Sequence, residues 1–306
     1  MKLCAFVDVN RTPMKASWLL VLLITSLIAL PALAVADMHA TGEHKQATSE
    51  HFSRVKMLTL EESNGDSNNS LNLAQSGNIN STSAILFVHG SPGDWHAFSD
   101  YLQDDDLAKD NLVLSYDRPG WGQSTLGYDL LGQFEYQARA ALTIMQHYPD
   151  KHWTIVGHSL GASIAPTIML NAIRAGYSVN AIVLLAGSLE PKLGKPRWFN
   201  RFAKFSLVNM LLGDDLRNSN IEILRLHNEL MRQDERLKET SVTTRLILVQ
   251  GARDKLVSPK NAAYVRTAWA NTFGQLTIEV IEDEGHFLPW RQAPRIKKHI
   301  LESLSP

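Results

Sequence analysis

The segment Val156-Gly157-His158-Ser159-Leu160-Gly161-Ala162 sets a serine between two glycines, after a short apolar run and before a stretch of helical apolar spacing. A strand that turns into a helix through such a G-x-S-x-G step leaves the serine hydroxyl exposed at the turn. Glycine on either side keeps Cβ atoms away from the neighbouring strand and helix. The chemistry this pattern suits is nucleophilic attack by Ser159 Oγ on an acyl carbon, and a hydroxyl needs a base for that. His286, in Glu284-Gly285-His286-Phe287 after the last expected strand, is the candidate base. His44 and His51 fall in a polar stretch, and His147 and His152 flank a helix and a strand away from the expected site. His158 adjoins the serine, but the turn geometry directs it elsewhere. A carboxylate on the second ring nitrogen holds the tautomer and stabilises the imidazolium. Asp254, just after the apolar run Arg245 to Val249, is the first choice, with Glu190 and Asp283 as alternatives.

Acyl transfer also needs donors for the oxyanion. Leu160 N–H, at the start of the helix after the serine, is the first. The second is expected from His89-Gly90-Ser91-Pro92-Gly93, where Pro92 lacks an N–H, so Ser91 N–H is the choice. This chemistry requires no metal or organic cofactor. The one cysteine, Cys4, lies near the N-terminus, which removes thiolate ligation and disulfide stapling from the main body of the chain.

These residues need a frame. Short β-rich runs recur at Val55 to Leu60, Ala84 to Val88, Leu112 to Tyr116, Trp153 to Val156, Ala181 to Leu185, Arg245 to Val249 and Leu276 to Ile281. Most are continuously apolar, as strands buried on both faces are. Helical spacing falls between them, at Leu130, Phe134, Ala138, Ala141, Leu142 and Met145, and at Ile164, Ile168, Met169, Ala172 and Ile173. Strand and helix in alternation give an α/β domain with a mostly parallel sheet covered on both faces. The Asn/Ser/Gly density from Ser63 to Ser83 blurs any second strand. Pro166, inside the second helical pattern, is expected to remove one helical hydrogen bond.

About 55 residues separate the run ending near Ala186 from the one opening at Arg245, too many for an ordinary connection. An inserted helical cap, at about residues 188–243, is the natural reading. Within it Trp198, Phe202 and Phe205 lie one and two turns apart and are candidates for substrate binding, with membrane contact or plain packing as the alternatives.

Thirty Lys and Arg against 31 Asp and Glu give a net charge of −1, so no nucleic-acid partner is indicated. A small neutral ester or amide is the partner that fits. Lys2, Arg11 and Lys15 precede an apolar stretch from Trp18 to Leu30, followed by Pro31 and the A-x-A pattern Ala34-Val35-Ala36. Residues 1–36 therefore read as a signal peptide, 37–53 as a flexible spacer and 54–306 as the catalytic domain. The expected location is periplasmic or secreted. An uncleaved membrane anchor is the alternative, and the N-terminal segment is then the only membrane contact.

Taken together, the His89 to Gly93 loop, Asp117-Arg118-Pro119-Gly120-Trp121-Gly122-Gln123-Ser124, the turn around Ser159, and the Asp254 and Gly285-His286 loops resemble the α/β-hydrolase superfamily over about Val55 to Ser303. The first two motifs are similar to those of the proline iminopeptidase and microbial esterase branches. The resemblance implies an α/β-hydrolase fold of about eight strands, with the cap inserted after the sixth, and Asp117 to Ser124 as a structural loop beside the pocket. With the N-terminal export signal, the expectation is an exported serine hydrolase that cleaves a carboxylic ester through an acyl-enzyme on Ser159. The alternatives are an aminopeptidase of the iminopeptidase type, using acidic residues such as Asp214, Asp215, Glu229 or Glu235 for an amine, and a non-catalytic ligand-binding protein.

Overall fold

Along Ser83–Val88 successive side chains enter different cores: Ile85 and Phe87 face one side of the sheet, Leu86 and Val88 the other. That alternation is the period of an extended chain, and burial on both sides explains why the run is apolar throughout. The computed structural model describes residues 54–61, 70–125, 130–196 and 213–304. The expected signal peptide and spacer, together with Trp198, Phe202 and Phe205, lie outside the described residues.

Eight strands form one sheet: β1 (Lys56–Glu61), β2 (Ser70–Gly77), β3 (Ser83–Val88), β4 (Leu112–Tyr116), β5 (His152–His158), β6 (Ser178–Leu185), β7 (Val242–Gly251) and β8 (Phe273–Ile281). Their order is β1-β2-β4-β3-β5-β6-β7-β8. β2 runs antiparallel to both neighbours, and every pair from β4–β3 through β7–β8 is parallel. Among the described residues five longer helices accompany them: α1 (Phe134–His147), α2 (Leu160–Arg174), α3 (Asp214–Lys238), α4 (Lys260–Ala268) and α5 (Ala293–Leu304). Residues of α1 to α4 pack with Leu86, Ile155 and Leu248 on one face. Residues of α5 join Phe98, Tyr101 and Leu288 on the other.

β2, the strand obscured in the sequence, is buried at six consecutive positions although it carries Asn72, Gln75 and Ser76. Each finds a partner far along the chain: Asn72 Nδ2 donates to Asp117, Gln75 accepts from Tyr148 Oη, and Ser76 Oγ donates to Leu102 O. Partnered polar groups are tolerated in a core, so the strand is interior without looking apolar.

Pro166 leaves α2 a single helix from Leu160 to Arg174. Beside it Gln233 of α3 donates to Ser163 O and Thr167 Oγ1, both at 2.8 Å, tying the two helices together. Ile173, expected on the buried stripe, is exposed, while Ala172 beside it is buried. Between β6 and β7 the described residues carry α3, whose Leu230 and Leu237 are buried in the main core.

Candidate active site

Ser159 occupies the turn between β5 and α2 with φ 54° and ψ −117°, a left-handed conformation in a non-glycine residue. Such strain persists only where the surroundings enforce it. Here the turn is too tight for side chains on either side. A Cβ on Gly161 would stand 2.0 Å from Val88 O, and one on Gly157 would stand 2.5 Å from Gly161 O. Ser159 N–H donates to Leu185 O at 2.9 Å, which fixes the turn to β6. The serine thus sits at the C-terminal ends of the central parallel strands, where open α/β sheets collect ligands.

His286 follows β8 and reaches back across the sheet. Its Nε2 lies 2.9 Å from Ser159 Oγ, and its Nδ1 lies 2.8 Å from Asp254 Oδ2. Asp254, with no side-chain exposure, is held by Leu256 N–H and Val257 N–H on Oδ1, both at 2.8 Å, and by Gln250 Nε2 on Oδ2 at 3.2 Å. Burial alone would push this carboxyl up, but hydrogen bonds from His286, Val257 and Leu256 outweigh it and hold the group below the usual carboxylate range. The β7 and β8 loops meet closely enough that a Cβ on Gly251 would fall 2.2 Å from Gly285 O. Arg253 N–H donates to Glu284 O at 2.8 Å, so the loops that carry Asp254 and His286 share a main-chain bond.

Of the two alternative acids, Asp283 points outward to Arg253, and Glu190 is tied through its backbone to Asn261. The structure therefore brings Ser159, His286 and Asp254 together and leaves the alternatives apart. Ser91 lies in the loop after β3, whose neighbour Gly90 is packed against the turn: a Cβ there would stand 3.1 Å from Ser159 Cβ. Leu160 opens α2, and the first N–H groups of a helix have no acceptor within it.

Asp117 organises the loop that follows β4. Its Oδ1 accepts from Trp95 N–H at 2.9 Å, and its Oδ2 accepts from Asn72 Nδ2 at 2.9 Å and Gln123 N–H at 2.8 Å. Sequence reasoning gave no role to His158 or Glu222, and to Arg118 only a place in the structural loop Asp117 to Ser124. His158 Nε2–H donates to His286 O at 2.9 Å, which ties the ring to the backbone of His286. Arg118 and Glu222 form a bonded pair with no side-chain exposure. Buried charges of opposite sign are the one signal a sequence could have offered, and nothing local marks either as buried. Among the described residues no group of His, Asp and Glu is arranged to hold a metal ion.

The sheet order, the strained serine turn and the converging loops define an α/β hydrolase. Residues 85–296 match the model of the alpha/beta hydrolase family, and the chain belongs to that family. It is similar to monoglyceride lipase of Mus musculus, 25% identical over 252 residues that cover 72% of this chain and 81% of that protein. Among solved structures it resembles an esterase from Exiguobacterium antarcticum, at TM-score 0.61 and 15% identity over 81% of this chain and 99% of that one. An epoxide hydrolase from Vigna radiata gives TM-score 0.62 and 14% identity over 81% of this chain and 97% of that one. At these identities the structural likenesses show the fold alone.

Proposed function

We propose that the protein is a serine hydrolase that cleaves a carboxylic ester through an acyl-enzyme on Ser159. The observation that carries this reading is the continuous hydrogen-bonded chain Ser159 Oγ, His286 and Asp254, at 2.9 and 2.8 Å. Ser159 Oγ attacks the ester carbonyl while His286 Nε2 takes its proton. Asp254, ionised by its donors, stabilises the imidazolium and holds the proton on Nδ1. The oxyanion is received by Ser91 N–H and Leu160 N–H. The tetrahedral adduct expels the alcohol, which leaves with the proton from His286. Water then repeats the sequence, releasing the acid and restoring Ser159.

Of the four acidic residues that could serve a substrate amine, Glu229 and Asp214 are already paired. Glu229 is buried, accepts from Phe134 N–H at 3.1 Å and pairs with Arg232, and Asp214 pairs with Arg217. Asp215 and Glu235 are exposed, so the acidic residues leave the choice between ester and amine to the test below. The likeness to a monoglyceride lipase supports an acyl chain on one side of the scissile bond, for which Trp198, Phe202 and Phe205 are the proposed lining. Residues 1–36 are proposed as an export signal, which places the enzyme in the periplasm or outside the cell.

The test is turnover by purified protein of p-nitrophenyl esters and monoacylglycerols of graded chain length, alongside aminoacyl amides, with Ser159→Ala as control. Ester turnover lost in Ser159→Ala supports the reading. Turnover of the amides alone would show the aminopeptidase alternative to be right, and turnover of neither class by folded protein would favour a ligand-binding role.

A further inference from the structure

Gly90 O is the acceptor for two buried donors. His89 Nε2 accepts from Arg118 N–H at 2.9 Å, so the ring proton resides on Nδ1, which donates to Gly90 O at 2.8 Å. Arg118 Nη2 donates to the same oxygen at 2.9 Å, and Arg118 Nε donates to His89 O at 3.0 Å. The guanidinium is in turn fixed by Glu222 of α3, with Nη1 to Oε1 at 2.7 Å and Nη2 to Oε2 at 3.2 Å. Trp121 Nε1 adds a bond to Glu222 Oε1 at 3.2 Å, and Gln137 Oε1 accepts from Arg118 Nη1 at 3.3 Å. A Cβ on Gly132 would stand 2.9 Å from Glu222 Cα, so a glycine at φ 77° lets α3 come close at this point.

The carbonyl of Gly90 and the N–H of Ser91 belong to one peptide unit. In a trans peptide the two groups point in opposite directions, and the only cis bond among the described residues is the next one, Ser91–Pro92. We propose that Arg118, seated by Glu222 and assisted by His89, is a positioning residue for the oxyanion hole: it fixes and polarises the Gly90–Ser91 peptide so that Ser91 N–H is presented to the substrate oxygen. This rests on the serine-hydrolase reading and deepens it. A charge-assisted bond to the carbonyl does two things at once. It prevents the peptide from turning over, and it draws electron density from the amide, which strengthens the N–H as a donor. Because the donors are buried, the effect is set before substrate arrives, as electrostatic preorganisation requires. It also makes the hole depend on where α3 lies, since Glu222 is the anchor of the guanidinium.

The proposal is tested with Arg118→Lys and Glu222→Gln, each compared with wild type in ester turnover and in binding of a trifluoromethyl ketone, whose adduct with Ser159 puts an oxyanion in the hole. Lysine keeps the charge but cannot bridge His89 O, Gly90 O and Glu222 together. Acylation and deacylation both pass through an oxyanion, so Arg118→Lys is expected to lower kcat roughly 10- to 100-fold, somewhat less than the ~10²–10³ for removing a donor outright. KM is expected to stay within about twofold, and ketone affinity to weaken in parallel with kcat. Glu222→Gln is expected to show the same pattern with a smaller loss. If wild type cleaves esters and binds the ketone while Arg118→Lys retains both, or changes only KM, this proposal falls and the serine-hydrolase reading stands. If wild type does neither, both fall. Should a variant fail to fold, wild type labelled with ¹³C at the Gly90 carbonyl decides the matter: that resonance is expected to move downfield when the ketone binds, and an unmoved resonance overturns the proposal.

Discussion

His158 Nε2 donates to the main-chain carbonyl of His286 across 2.9 Å, so the residue before the proposed nucleophile holds the backbone of the proposed base. The two rings lie 4.9 Å apart, with Trp290 edge-on to His158 at 5.0 Å. Burial, reinforced by repulsion from His286, pushes the His158 imidazole down to about 3, which keeps it a neutral donor. His158→Leu would leave a buried carbonyl unpaired and loosen the base. The expected result is a fall in kcat of roughly 10- to 100-fold with KM nearly unchanged, since small misplacements of reacting groups cost on that scale. His158→Gln, which retains an N–H donor, should recover part of the loss in the same steady-state ester assay.

Asp254→Asn tests the acid through the tautomer. The asparagine carbonyl can still accept from Leu256 and Val257 N–H, leaving its NH₂ toward His286 Nδ1. That donor forces the ring proton onto Nε2, where it faces Ser159 Oγ and blocks proton transfer. A loss of about 10⁴ in kcat is expected, with thermal stability little changed. A loss below about tenfold in single-turnover acylation would place the orienting acid elsewhere.

Gly161→Ala tests the turn itself. The added methyl would meet the backbone of Val88 and His89, with contacts of 2.0 Å and 2.6 Å to their carbonyl oxygens, and backbone cannot step aside as a side chain can. Destabilisation of about 3 kcal/mol, at the upper end for overpacking, is expected in urea unfolding, together with loss of activity. Near-native stability would mean that the elbow is more open than described.

Two buried imidazoles tie stability to pH with a definite sign. Burial and then the Arg118 cation push His89 well below the ordinary histidine range, and His158 lies at about 3. The unfolded chain takes up both protons near pH ~6.5 while the folded chain does not, so stability is full above that pH and falls as acid is added. For His158 the loss is about 2 kcal/mol by pH 5, at about 1.4 kcal/mol per pH unit, and His89 acts in the same direction. Asp254 does not add to it there, because a carboxyl held low in the fold contributes stability that is lost only below about pH 4. His96, raised first by the hydrogen bond it donates to Asp94, has the opposite sign but is half-exposed and screened. Urea midpoints at pH 7 and pH 5 check the net result, and equal values would contradict it.

How much of this was legible beforehand follows from where each residue's partners lie. β3 through β7 are readable as continuous apolar runs because both faces are covered. β2 is not, because Asn72, Gln75 and Ser76 are satisfied by groups remote in sequence. Ser159, His286 and Asp254 could be picked out because each needs a characteristic local setting: a glycine-flanked turn or a loop at a strand's end. Arg118 and Glu222 stand 104 positions apart, and His158 and the carbonyl it holds stand 128 apart. Their roles exist only once α3 and the β8 loop are packed, and residue type and spacing carry no trace of that.

The central claim is that Ser159 Oγ is the group that becomes acylated. Purified protein treated with a fluorophosphonate and digested should show the phosphonyl mass on the peptide containing Ser159 in near-stoichiometric yield. The adduct should be absent in Ser159→Ala and strongly slowed in His286→Ala. A folded wild-type protein that acquires no adduct, or acquires it on another residue, would contradict the account.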